Sequence, residues 1–355
     1  MANYIFHFNT SSEPGYPFWD WGAAGKCHLD RETAAEEIGF SRIDGLVYLW
    51  ATEPETVISS RMDGLLAGLQ RNDCLIVHWP FPIVGDRWIQ TFIDRVHLFN
   101  AKLIFLVDDM SSWRTDPVLP DFSKITKHDY LANPEASEEI KFINQADGII
   151  VHSKPMADHL KEQLALFDQK LIDPVTWFGP SLNRTNYFRG RRLFDQGVDY
   201  AGSLFKAPFL QQLPGDFKLN IYGAKESDQK LAEHKSIQLH PRVDPEAIPQ
   251  LLEGSYGLIW DSEQYPDVKG PLGQYERYNT PAKFPMYLSA NEPVIVWSHA
   301  STAPFVRANQ IGLTIESLDQ LPTAIASVTE EQYNQILTNT IRILDCIIKV
   351  TTQKM

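Results

Sequence analysis

The chain has 355 residues, enough for about two domains with real cores. Its residues are 43% hydrophobic and 22% charged, a globular profile that excludes a disordered chain. A formal net charge of −13 argues against a nucleic-acid-binding surface, and the three scattered cysteines, Cys27, Cys74 and Cys346, offer no zinc spacing.

The opening MANYIFHFNT has neither the basic end nor the apolar stretch of a secretory leader. No run of about 18 apolar residues occurs either, so a cytoplasmic protein with reduced thiols is expected. The first strand is expected over Tyr4–Phe8. The loop after it carries Thr10, Ser11, Ser12, Trp19, Asp20 and Trp21 among glycines. Hydroxyls and glycines let a backbone approach a phosphate closely, and tryptophans offer faces to a sugar, although each also suits a core.

Further strands are expected at Gly45–Trp50, Cys74–Trp79, Lys102–Val107 and Gly148–His152. These runs are β-branched or aromatic and nearly continuous, as strands buried on both faces of a parallel sheet should be. Helical patterns lie between them at Arg31–Ile38, Glu55–Leu69, Arg87–Phe99 and Ala136–Asn144. In the third, Trp88, Phe92, Val96 and Phe99 form one apolar stripe. This alternation predicts right-handed crossovers and a doubly wound sheet. Asp108 and Asp109 close the fourth strand, where one could act as general base on an acceptor hydroxyl or cap the next segment. His78, near the end of the third strand, is either a comparable candidate or a buried structural imidazole.

The polar, locally basic stretch FGPSLNRTNYFRGRRLFDQ, 178–196, reads as an interdomain connection between domains at 1–177 and 197–329. In the second domain, strands are expected at Val198–Gly202, Phe217–Tyr222, Ile237–Leu239, Gly257–Trp260 and Pro293–Trp297, with helices at Pro245–Leu252 and Ala282–Ala290. A C-terminal helix within 330–355 carries Tyr333, Ile336, Leu337, Ile341, Leu344 and Ile348 along one side. That stripe must bury, either back on the first domain or in a homo-oligomer. Two such sheets facing a cleft would bring loops and helix starts to a ligand at the carboxyl ends of the strands. No GxGxxG follows a strand and no GxxxxGK[ST] occurs, which weighs against NAD, FAD and ATP.

In RYNTPAKFPMYLSANEPVIVW, Arg277–Trp297, Thr280 is expected to cap a helix with Pro281 at its first position. Lys283 then falls in the first turn. A cation there is unfavourable for the helix alone and points to a bound phosphate, a solvated surface lysine being the alternative.

This segment resembles a motif of bacterial GT-B sugar transferases, in which a Pro-x-Lys helix start leads through a small-residue turn into a Pro-Val-Ile-Val strand. The family it is similar to contains β-1,6-galactofuranosyltransferases and the glucosyltransferase that extends O-linked N-acetylglucosamine on serine-rich repeat adhesins. GIIVHSKPMADHL (148–160), DYAGSLFKAPFL (199–210) and HPRVDPEAIPQLL (240–252) follow in matching order. The resemblance implies an α/β GT-B fold with two Rossmann-like domains, moving a hexose from a UDP-sugar to a glycan, glycolipid or glycoprotein. It places Lys283, Tyr278 and Asn279 at the donor, with Gly202, Ser203 and Lys206 in the loop that meets the diphosphate and sugar. Arg242 falls near the base or ribose, and Lys206 stands where relatives often have arginine. Thr10, Ser11, Ser12, Trp19, Trp21 and His78 fall to the acceptor or phosphate loop, the WDW being absent from the relatives' loop. Cationic side chains and helix N-termini replace a metal in such enzymes, so no metal and no cofactor beyond the donor are expected. The expected partners are a nucleotide sugar and a carbohydrate-bearing acceptor, which a glycolipid would present at a membrane surface. A non-catalytic subunit that binds carbohydrate or a partner transferase is the alternative.

Overall fold

The computed structural model describes residues 1–9, 23–46, 53–82, 85–115, 133–166, 175–177, 190–214, 218–224, 231, 233 and 236–352. Thr10, Ser11, Ser12, Trp19 and Trp21 lie outside them. The chain divides into two units, Met1–Gly179 and Pro180–Lys354.

The first unit runs β1 (Asn3–Asn9), α1 (Ala23–Glu37), β2 (Ser41–Leu46), α2 (Glu55–Leu65), β3 (Cys74–Trp79), α3 (Asp86–Leu98) and β4 (Lys102–Val107). It continues with α4 (Ser111–Thr115), α5 (Pro134–Ile143), β5 (Gly148–Val151), α6 (Lys154–Leu166) and β6 (Val175–Trp177). Its six strands lie in the order β2-β1-β3-β4-β5-β6, and every pairing is parallel. The stripe of α3 works as its period requires: Trp88, Phe92 and Val96 are buried, and Trp88 stacks on Phe92 at 5.5 Å. Phe6, Phe8, Phe81 and Phe105 complete an aromatic core beneath that helix. Helix α5 starts where Asn133 accepts a hydrogen bond from the Ala136 amide at 3.0 Å, with Pro134 at its first turn.

Strand β2 begins at Ser41, earlier than the expected Gly45. It is an edge strand paired only with β1 among the described residues, and its mostly exposed polar side chains hide it from a search for apolar runs.

The second unit runs β7 (Val198–Ala201), two 3-10 turns (Leu204–Lys206 and Pro208–Gln212), β8 (Leu219–Ala224), β9 (Ile237–Pro241), α7 (Ile248–Leu251), β10 (Tyr256–Ile259), α8 (Gly270–Tyr275) and α9 (Lys283–Ser289). It ends with β11 (Val294–Trp297), α10 (Ala303–Asn309), β12 (Gly312–Ile315), α11 (Leu321–Ala326) and α12 (Glu330–Thr352). The sheet order is β12-β11-β10-β7-β8-β9, again wholly parallel. Strand order reverses between β7 and β10, and in open α/β sheets that crevice is where ligands bind.

The first half of the α12 stripe lies within the second unit. Tyr333 and Leu337 are fully buried in the second unit's own core beside Tyr256 and Trp260, with Ile336 and Ile341 packed against it. The Tyr333 hydroxyl also donates to the Ser255 carbonyl at 3.0 Å. One expectation needs correction: Thr280 does not cap α9, which opens at Lys283 with no side-chain cap among the described contacts. The Pro281-Ala282 step precedes the first helical turn instead of forming it.

Candidate functional site

Helix α9 is set against the reversal of strand order by one tyrosine. Gly257 of β10 has no side chain, and a Cβ there would lie 2.3 Å from the Tyr287 ring. The ring therefore lies directly on the strand. Its hydroxyl accepts from the Ala201 amide at 2.9 Å and reaches the carbonyls of Asp199 at 3.1 Å and Leu258 at 3.3 Å, tying β7 to β10. Lys283 sits one turn earlier on the same helical face. Its stem crosses Gly202, where a Cβ would meet Lys283 Cε at 2.7 Å.

The lysine is not a solvated surface cation. Its Nζ lies 2.6 Å from Asp261 Oδ1 and 3.0 Å from the Tyr200 hydroxyl, over the Tyr200 ring, with its side chain 13% exposed. Burial works against the charge, but the Asp261 carboxylate and the Tyr200 oxygen outweigh it and hold the ammonium above its ordinary range. An ammonium has three N–H groups. Asp261 and Tyr200 take two, and the third is available to an anion.

The surroundings are rigid. The Asp261 amide donates to Glu276 Oε1 at 2.7 Å, and the Ser262 amide donates to the Lys206 carbonyl at 3.2 Å. Burial, then repulsion from Asp261, push the Glu276 carboxyl well above the usual carboxylate range. Lys283 lies against Gly202, and Ser203 and Lys206 follow in the same loop. Tyr278 and Asn279 lie half-buried in the turn before α9. Arg242 is exposed just past β9, and β10, β7, β8 and β9 are successive neighbours. Three strand spacings, about 14 Å, therefore separate the two ends of this floor.

A second concentration of chemistry lies in the first unit. Asp108, immediately after β4, accepts from His78 Nδ1 at 2.6 Å, is ion-paired to Arg31, and has His28 Nε2 at 2.9 Å and His152 Nε2 at 3.5 Å. Glu32 sits behind, 2.7 Å from His7 Nδ1 and 3.9 Å from His78 Nε2. Burial, then Arg31, push His28 down to about 3. Burial, then His28 and Arg31, drive His78 well below its ordinary range. Both are neutral imidazoles. His7 goes the other way because its hydrogen bond to Glu32 favours the charged ring.

His78 is wholly buried, so it holds Asp108 from behind and does not present itself to a substrate. Asp109 pairs instead with Arg114 at 2.5 Å and is 32% exposed, the more accessible of the two aspartates. The ligand atoms of His28, His78 and Asp108 fall within 4.8 Å of one another. The two imidazoles, however, are stacked at 3.9 Å and 14°. A metal lies in the plane of each imidazole it binds, a condition two face-to-face rings cannot share, and Arg31 already neutralises the carboxylate. The set fits an anchored ion cluster better than a cation site.

Sequence reasoning missed Tyr200, Asp261, Glu276 and Tyr287 in the second unit, and His7, His28, Arg31, Glu32 and His152 in the first. Asp261 alone carried a signal: it closely follows the GLIW strand at its carboxyl end. Among the described residues, no helix is long and apolar enough to cross a membrane.

Comparison with known proteins agrees with this fold. The family model of the glucosyltransferase 3-like N-terminal domain matches residues 16–172, and that of the C-terminal domain matches residues 198–351. The chain is 27% identical to the β-1,6-galactofuranosyltransferase WbbI of Escherichia coli K12 over 82% of its own length and 80% of that protein. It is 26% identical to glucosyltransferase 3 of Streptococcus gordonii, over 85% of this chain and 83% of that one. In fold it is similar to the apo structure of OtsA, at a TM-score of 0.58 and 10% identity over 98% of this chain and 96% of that one. The E. coli trehalose-6-phosphate structure bound with UDP-2-fluoro glucose also gives 0.58 at 10% identity, over 99% of each chain. The architecture is therefore GT-B, with two Rossmann-like domains, and the two family models leave only the connection and the chain ends unmatched. The chain belongs to the glucosyltransferase 3-like family of glycosyltransferases.

Proposed function

We propose that this protein transfers a hexose from a UDP-sugar to a carbohydrate-bearing acceptor, and that Lys283 with Lys206, Gly202 and Ser203 receives the donor diphosphate. One observation carries the reading: a buried ammonium with a third N–H to spare, braced by Asp261 and Tyr200 where the strand order reverses. Such preorganised charge stabilises a departing diphosphate without moving during the reaction. Tyr278, Asn279 and Arg242 belong to the same donor side, Arg242 toward the nucleoside. Lysine charge replaces a metal, and no cofactor beyond the donor is required. The names of the relatives support UDP-glucose and UDP-galactofuranose as the donors to try first.

On the acceptor side, Asp109 takes the proton of the incoming hydroxyl, oriented by Arg114, while Asp108 stays bound in its cluster. The acceptor is a glycan, glycoprotein or glycolipid, the last met at a membrane surface from the cytoplasm. The free cysteines accord with that reducing compartment.

A ligand that binds only the native state raises the melting temperature. Melting with UDP, UMP and GDP, with and without EDTA, followed by UDP release from the two UDP-sugars, tests the reading. UDP should raise the melting point whether or not EDTA is present. No shift with any nucleotide would overturn the donor assignment.

A further inference from the structure

The loop after β7 carries one side chain that the site described above does not use. The 3-10 turn Leu204–Lys206 starts at Ser203 and is anchored at both ends. The Lys206 amide donates to the Ser203 carbonyl at 3.1 Å, and the Ser262 amide, beyond β10, donates to the Lys206 carbonyl at 3.2 Å. Leu204 packs on the core and Ala207 is buried. Between them Phe205 stands outward, 83% exposed. Among the large apolar side chains left exposed in the described residues it is the sole aromatic, the others being Leu, Ile, Val and Met. Leaving a phenyl ring in water forgoes the stabilisation that its burial would give. This ring is held there by a turn bonded to the ends of the two strands that flank the donor site.

Resting on the donor reading above, we propose that Phe205 is the platform on which the donor's hexose ring stacks. A hexose presents an apolar C–H face and a rim of hydroxyls. An aromatic face covers the first and leaves the second free for hydrogen bonds. Placement favours the donor hexose over an acceptor sugar, because Ser203 and Lys206, on the phosphate side, bracket Phe205 in a single turn. The hexose is bonded directly to that diphosphate, so its ring must lie within one sugar's length of them.

Calorimetric titration of wild type, Phe205→Ala and Phe205→Trp with UDP and the two UDP-sugars tests this. The exposed ring makes neither variant a folding problem, and UDP should bind all three proteins alike. The gain in affinity that wild type draws from the hexose should fall by about three- to tenfold in Phe205→Ala and survive in Phe205→Trp. An undiminished hexose gain in Phe205→Ala, or a wild type that binds neither UDP-sugar more tightly than UDP, would overturn the proposal. So would a variant with intact sugar-nucleotide binding and hydrolysis but slowed transfer, which would move the ring to the acceptor. The donor reading fails separately, by absence of any nucleotide binding to wild type.

Discussion

At the scale of single residues, Lys283 serves both the fold and the site, and substitutions can separate the two. Lys283→Ala leaves the Asp261 carboxylate, 12% exposed, without its cation. Breaking a buried pair by one partner costs about 3–5 kcal/mol, toward the lower end here because both ends keep some contact with water. The melting temperature should drop along with UDP affinity. The paired change Lys283→Met with Asp261→Asn should restore most of the melting temperature and none of the UDP affinity. Recovery of UDP binding in the pair would mean the lysine never met the phosphate. Gly202→Ala offers the converse. Its new methyl collides with the movable end of the lysine stem, so UDP binding should weaken about tenfold while melting changes little. On the acceptor side, Asp109→Asn should lower kcat about 10²–10⁴-fold with UDP affinity unchanged. Parity with wild type in a transfer assay would remove Asp109 as the base.

Lys283 shows how far the sequence could be read. Its place at the start of a helix that leads into a buried strand followed from Pro-x-Lys and a strand of four apolar residues, all local signals. That it leans on Asp261 and Tyr200 did not, since those residues are 22 and 83 positions away and meet it only because β10 lies beside β7. His28 escaped for the same reason, since it meets His78 only by stacking α1 against β3.

At the scale of elements, apolar runs revealed the inner strands, while β2 and β12, at the sheet edges, went unread or misplaced because they are only partly buried. The amphipathic pattern of α12 was legible, but its partner was not, because an apolar stripe states that it must be covered without saying by what. The structure makes the first half of α12 part of the second unit's core. Tyr333→Ala removes a wholly buried ring and its bond to Ser255, and should destabilise by about 3–5 kcal/mol. Truncation at residue 329 should abolish the UDP-dependent melting shift. A truncated protein that still responds to UDP would show that the helix is dispensable to that core.

At the scale of the whole molecule, the two units titrate in opposite senses. His28, at about 3, His159, at about 2, and the strongly lowered His78 are all buried in the first unit, chiefly by desolvation held neutral. Their folded values lie below the unfolded value near 6.5, so their contribution is present above that pH and is lost as pH falls. Each takes up one proton on unfolding, a slope of about 1.4 kcal/mol per pH unit. His7 and Glu139, both raised, oppose this within the same unit but are outnumbered. In the second unit Asp199, Glu276 and Glu292 are raised by burial, so their contribution is present in acid and is lost as pH rises through the folded values. Melting followed separately in each domain between pH 7 and pH 4.5 should show the first weakening ahead of the second. A uniform decline would contradict the buried neutral imidazoles.

The hydroxyl of Tyr287 has one more consequence, for the exchange of backbone protons with solvent. The carboxyl end of a parallel strand is ordinarily where a sheet frays and its amides exchange through small local openings. Here the Ala201 amide at the end of β7 is bonded to a phenol that is itself fully buried on β10. Its proton should therefore exchange only when the domain unfolds as a whole, with a protection factor matching those of the central strands. In Tyr287→Phe that single amide should drop to local, fast exchange while its neighbours in mid-strand stay slow.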